Sequence, residues 1–127
     1  MGNIFILKTH QFAGSLQSIE PIMIIAPFGI NTEFETTEKV KAITSADGLQ
    51  TNFFRKTNLE VRQNNTIHAK LAIGKHGALF GSWNLSGSKN HELVMACDTA
   101  HPIYKGLIEF FNEAWADSKP IDMGGAP

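Results

Sequence analysis

Between Ile67 and Trp83 the chain reads "IHAKLAIGKHGALFGSW", in which Ile67, Ala69, Leu71 and Ile73 alternate with other residues up to a Gly-flanked turn and a second apolar run. Alternation puts successive side chains on opposite faces of an extended strand, and two such runs around a short Gly-containing turn make an antiparallel hairpin. A lone hairpin is marginal in water, so this one requires further strands beside it and helices against it. The turn is expected at Lys75, His76 and Gly77, with Gly77 in the left-handed position. Gly74 then faces Ala78, Lys70 faces Ser82 and His68 faces Asn84, while Ile67, Ala69, Leu71 and Ile73 line the opposite, half-buried face.

The flanking sequence supplies the other elements. "PIMIIAPFG", Pro21 to Gly29, is a short apolar run bounded by Pro and Gly and reads as a buried strand. "LQTNFFRK", "LEVRQ" and "HELVMACD" have strand character as well. From Asn3 to Glu20 the signal is divided, "IFIL" being strand-like and "FAGSLQSI" helical in spacing. "NTEFETTEKVKAITSADG" offers Thr and Glu cap chemistry, Val40 and Ile43 three apart and a Gly stop, which predicts a helix over about Glu33 to Ala46. In "HPIYKGLIEFFNEAWADS" the residues Ile103, Leu107, Phe110, Phe111, Ala114 and Trp115 recur at helical spacing behind Pro102, which suits a first helical turn. The order of strands and helices predicts an α/β fold, a mixed β-sheet flanked by helices.

Composition narrows the classes of function. A chain of 127 residues with 43% hydrophobic and 18% charged residues makes one domain spanning 1–127, with a frayed tail expected from about residue 119. A formal net charge of −1 with scattered Lys and Arg excludes a strongly basic surface, so any polyanion must be gripped by local groups. Cys97 is the sole cysteine, which rules out an intramolecular disulfide and fits a reducing compartment; no Cys/His cluster has zinc spacing, and no metal or other cofactor is expected. With no signal-like N-terminus and no run of 18 apolar residues, a soluble cytoplasmic protein without a membrane partner is expected.

The hairpin's polar residues point to phosphate chemistry. Lys70 supplies a point charge, Ser82 and Asn84 supply neutral donors, and a neutral imidazole at His68 is a competent nucleophile or base. One lysine is thin support for the charge of a phosphorane-like transition state. A two-fold dimer would double the set and bring two histidines together, one to attack and one to protonate the leaving oxygen.

These residues resemble the signature of the phospholipase D superfamily, His-x-Lys, four residues, Asp, six residues, Gly-Ser-x-Asn, often followed by Asn-x-Glu. The chain has His68-Ala69-Lys70, Gly81-Ser82-Trp83-Asn84 and Asn90-His91-Glu92. "IMIIAPFG" is similar to the family's early strand, and "ELVMACDTAHPIYKGLIEFFNEAW" to its closing strand and helix, so the likeness runs from about Ile22 to Trp115. Two departures stand out. The family Asp falls at Lys75, and the interval from Lys70 to Gly81 is one residue shorter.

The resemblance implies a phospholipase D-like α-β-α sandwich and a metal-independent phosphodiesterase working through a covalent phosphohistidine. His68 would be nucleophile in one half-site and general acid in the other, Lys70, Ser82 and Asn84 would bind phosphate oxygens, and Glu92 would accept the second imidazole N–H of His68. With one motif copy, the chain would form one shared site as a homodimer. A DNA or RNA endonuclease is the leading expectation, with Arg55, Lys56, Arg62 and Lys75 as candidate contacts to the nucleic-acid backbone. A lipid phosphodiesterase or transphosphatidylase is the first alternative, and it lacks an amphipathic helix with a basic face. A catalytically silent phosphate- or nucleic-acid-binding module is the second. Outside this set, His76 reads as a turn residue, His91 as a flank of the site, His10 and His101 as surface or cap residues, and Cys97 as a small buried hydrophobe.

Overall fold

In a computed structural model, residues 2–30, 34–51, 58–81 and 93–121 are described. The chain builds β1 (Ile4–Leu7), α1 (Phe12–Ser18), β2 (Pro21–Ile25), β3 (Val40–Thr44), β4 (Leu59–Gln63), β5 (Lys70–Gly74), β6 (Gly77–Gly81), β7 (Val94–Asp98), α2 (Pro102–Ala116) and β8 (Lys119–Pro120). The strands form one sheet in the order β1-β7-β6-β5-β2-β3-β4-β8. β2, β3 and β4 run parallel, while β5 to β7 form an antiparallel meander attached to β2, so β2 is the seam between the two halves.

Helices cover both faces, which gives the three-layered α/β architecture. On one face Leu16 of α1 packs with Ile24, Val40, Ala42, Val61, Ala72 and Leu79. On the other, Phe111 and Trp115 of α2 pack with Ile25, Ile43, Leu71, Ile73, Ala78 and Cys97. The helical stripe seen in the sequence is thus core packing except at Phe110, which stays exposed, with Phe111 fully buried and stacked on Trp115 at 5.8 Å between ring centroids. His101 caps α2, its ring nitrogen Nδ1 accepting from Ile103 N at 3.1 Å, and Pro102 follows in the first turn, where a missing N–H costs nothing.

Three expectations are corrected. The first is the helix over 33–46: Val40–Thr44 is a strand, parallel to both β2 and β4. Val40 and Ala42 face the α1 side and Ile43 the α2 side, so a strand buried on both faces lacks the polar alternation that marks a half-buried one. For the same reason the hairpin has no solvent face along β5 and β6, since Ala72 and Leu79 are buried opposite Leu71, Ile73 and Ala78.

The second correction is the turn. Ile73 pairs with Ala78 and Lys70 with Gly81, so only Lys75 and His76 lie between the strands and the register sits one residue from the expected one. Gly77 is a strand residue, kept small by close approach, because a Cβ there would come within 2.5 Å of Cys97 O. Gly74 is tighter still, at 1.9 Å from Ile19 O. The third concerns the tail: Lys119–Pro120 pairs with Arg62 and Gln63, and Ile121 N donates to Val61 O at 3.1 Å, so pairing continues past residue 119. The expected strand "LQTNFFRK" falls mostly outside the described residues, and its first two residues, Leu49 and Gln50, belong to the 3-10 turn Gly48–Gln50.

Candidate active site

The carboxyl ends of β2, β3 and β4, the start of β5 and the end of β6 lie along one edge of the sheet, because Ile25 pairs with Leu71 and Lys70 with Gly81. Open α/β sheets bind ligands at this edge, where connections diverge from the strand ends. His68, exposed, and Lys70, half-buried, enter it from the segment leading into β5. That segment is pinned on the side of the parallel strands. Asn64 N donates to Thr44 O at 2.8 Å, and the Asn64 side-chain oxygen Oδ1 accepts from Thr66 N at 3.0 Å and from Thr66 Oγ1 at 2.7 Å. Asn65 Oδ1 accepts from Ala46 N at 2.8 Å. His68 thus follows a turn fixed by four hydrogen bonds that side chains or strand ends supply.

Across from Lys70, Gly81 has φ +154°, and a Cβ there would meet Leu93 O at 2.1 Å. Glycine is thus required opposite Lys70, because the Leu93 carbonyl fills the space that a side chain would take. Ser82, Asn84 and Glu92, as well as Arg55 and Lys56, lie outside the described residues. Among the described residues, neither His68 nor Lys70 forms an ion pair, and no group of three His, Cys, Asp or Glu side chains is arranged to hold a metal ion.

The remaining predicted contacts, Arg62 and Lys75, have other surroundings. Arg62 lies on the α2 face, its guanidinium carbon 4.2 Å from the Trp115 ring centroid and Nη1 donating to Trp115 O at 2.7 Å. It closes the C-terminal end of α2, where backbone carbonyls lack intrahelical partners. Lys75 lies at the opposite end of β5 from Lys70, roughly 17 Å along the strand at about 3.3 Å per residue. Its ammonium pairs with the Glu38 carboxylate, which raises the lysine above its ordinary value. Beside it, His76 pairs with Glu20, and the backbone N–H groups of Lys75 and His76 donate to Glu20 O and Ile19 O, both at 3.2 Å. The family-Asp position therefore belongs to a turn clamped onto the α1–β2 junction, far from the edge that holds His68.

The sequence reading missed the loops that flank this edge. After β2, Gly29 N closes a turn onto Ala26 O at 3.1 Å, and the buried Thr44 hydroxyl donates to Ala26 O at 2.8 Å. Ser45 Oγ donates to Pro27 O at 2.5 Å. The available signal was "APFG" directly after an apolar strand.

No protein-family model matches the sequence, and no curated protein matches it. Among solved structures the chain is similar to Nuc, a phospholipase D family member from Salmonella typhimurium, with TM-score 0.71 and 12% identity over 95% of this chain and 99% of that one. NucT from Helicobacter pylori is similar at TM-score 0.66 and 14% identity, with the same coverage of 95% and 99%. TrmBL2, an archaeal chromatin protein whose structure shows a novel mode of DNA binding, is similar at TM-score 0.60 and 12% identity over 93% of this chain and 54% of that one. The fold is phospholipase D-like, as the spaced motifs implied.

Proposed function

We propose that the chain is a phosphodiesterase of the phospholipase D type acting on DNA or RNA, with a site completed by a second copy of itself. The observation that carries this reading is the position of His68 and Lys70: in a fold shared with a phospholipase D family member, the pair, free of ion pairs among the described residues, lies at the carboxyl edge of the sheet.

In the proposed reaction an imidazole nitrogen of His68 attacks phosphorus in line, forming an N–P bond as the bond to the leaving oxygen breaks. The same histidine of the second copy protonates that oxygen, then accepts a proton from the water that hydrolyses the phosphohistidine. Lys70, Ser82 and Asn84 hold the nonbridging oxygens, and Glu92 accepts the remaining imidazole N–H, orienting the ring and favouring its charged form. No metal takes part in these steps. Single-stranded and plasmid substrates incubated in EDTA should be cleaved, with phosphate trapped on His68 by acid-free mass spectrometry and a dimer in sedimentation. Absence of turnover on every nucleic acid would defeat the reading. A silent DNA-binding module is the second reading, favoured by the same fold in an archaeal chromatin protein; binding without cleavage or phosphohistidine would select it.

A further inference from the structure

From Ile24 to Ile30 every residue is buried except one. Ala26 and Pro27 before it and Gly29 and Ile30 after it are enclosed, while Phe28 is 45% exposed. A large aromatic ring held out of an otherwise buried run is not explained by packing, since rotation inward would remove apolar surface from water. The turn beneath it fixes the backbone that presents the ring. Gly29 is fixed at φ +87°, the carbonyls of Ala26 and Pro27 accept from Thr44 Oγ1, and that of Pro27 also accepts from Ser45 Oγ. Thr51 Oγ1 would lie 2.7 Å from a Cβ at Gly29, so the turn is closed from that side as well.

The ring stands at the edge that carries the candidate site. Extending the Ile25–Leu71 pairing by one step brings Ala26 level with Lys70, and Phe28 is two residues beyond. We infer that Phe28 is a stacking platform for an unpaired base next to the scissile phosphate, which makes single-stranded nucleic acid the preferred ligand. The inference deepens the nuclease reading and rests on it for the location of the phosphate. Charge supports it independently. A chain of net charge −1 has no overall attraction for a duplex backbone, and Arg62 and Lys75, two of the candidate contacts, are engaged with Trp115 and Glu38. Stacking supplies affinity without charge, tolerates any base, and requires the base to be out of its duplex.

The test is binding of fluorescent oligonucleotides of one sequence, single-stranded and duplex, at fixed salt to the full chain carrying His68→Ala, so that the probe is not cleaved, with hydrolysis read separately on the chain with His68 intact. Phe28→Ala should weaken single-strand binding by about 5- to 150-fold, the loss expected for one base–aromatic stack, and duplex binding by at least about fivefold less than that. Phe28→Trp should retain single-strand affinity, whereas Phe28→Leu, of similar bulk but no π-face, should lose it. Should Phe28→Ala fail to fold, the Trp and Leu pair makes the same comparison. Equal losses on both forms, unchanged single-strand affinity, or conversion of a dimer to a monomer by Phe28→Ala would overturn the inference, the last by placing the ring between copies. Binding of single strands through Phe28 without hydrolysis would uphold the inference and defeat the nuclease reading. Cleavage with no effect of Phe28 on single-strand affinity would defeat the inference alone, and no affinity for either form would defeat both.

Discussion

The two ends of the β5–β6 hairpin each carry a lysine and a histidine, and their surroundings differ. At the turn, Lys75 and His76 are answered by Glu38 and Glu20, and their backbone N–H groups are spent on the α1–β2 junction. At the open end, Lys70 and His68 have no carboxylate partner among the described residues. Polar groups that serve the fold are satisfied within it, whereas a cation without a described partner at a strand-end crevice is the kind of group a ligand can answer. Under the proposed function, the same two residue types do opposite work a strand's length apart.

That contrast can be broken by substitution, and the largest effect is expected at the open end. Replacing a covalent nucleophile removes the pathway itself, so His68→Ala should lower the cleavage rate in EDTA by about 10⁴-fold or more, with the urea midpoint unchanged. Lys70→Ala should cost about 10²- to 10³-fold in kcat, the scale of one group stabilising transition-state charge. At the turn end the expected losses are in stability. Gly74→Ala drives a Cβ against Ile19 O and should destabilise by about 3 kcal/mol in urea unfolding.

Asp98 sharpens the picture at the same end, where its carboxylate accepts from Asn3 N at 2.9 Å and from Ala100 N and His101 N at 3.1 Å. These bonds, that from Asn3 foremost, hold the carboxyl below the usual range. The unfolded chain therefore takes up the proton first as pH falls, so this stabilisation is present above the carboxylate range and is lost through it. Melting curves against pH should show an acid limb that Asp98→Asn flattens. The smallest effect is expected from Lys75→Ala, which removes an exposed pair and should leave the cleavage rate within about twofold, as for a surface ion pair remote from the chemistry. A larger loss of rate there would erase the distinction between the two ends.

What could be read from the sequence followed the uniqueness of each signal. α2 was legible because Pro102 and a six-residue apolar stripe admit one reading, and β2 because Pro and Gly bound its apolar run. β3 was not, since "VKAIT" is enclosed on both faces and its one exposed residue, Lys41, reaches back over the Trp115 ring at 5.4 Å. Val40 and Ile43 then mimic helical spacing when they in fact face opposite sides. The hairpin itself was legible and its register was not. Gly74 and Gly77 bracket the turn symmetrically, and the two-residue turn is held by the Lys75 and His76 N–H groups donating to Glu20 O and Ile19 O, groups remote in sequence. His68 and Lys70 were found by spacing, whereas Phe28 carries no motif and emerges only from its exposure among buried neighbours.

The seam at β2 has a consequence for how the chain assembles in time. The β5–β6 pairing joins residues close in sequence, while β2–β5 pairing must close a loop of some fifty residues, and the parallel neighbours β3 and β4 need crossovers. Local contacts form before long loops close, so the hairpin bearing Lys70 is expected to nucleate folding and the parallel half to dock onto it afterwards. Folding kinetics should then give Leu79→Ala a φ-value of about 0.5–0.8 and Leu59→Ala one near zero. In that order of events the lysine strand waits, already paired, for the edge that turns it into a site.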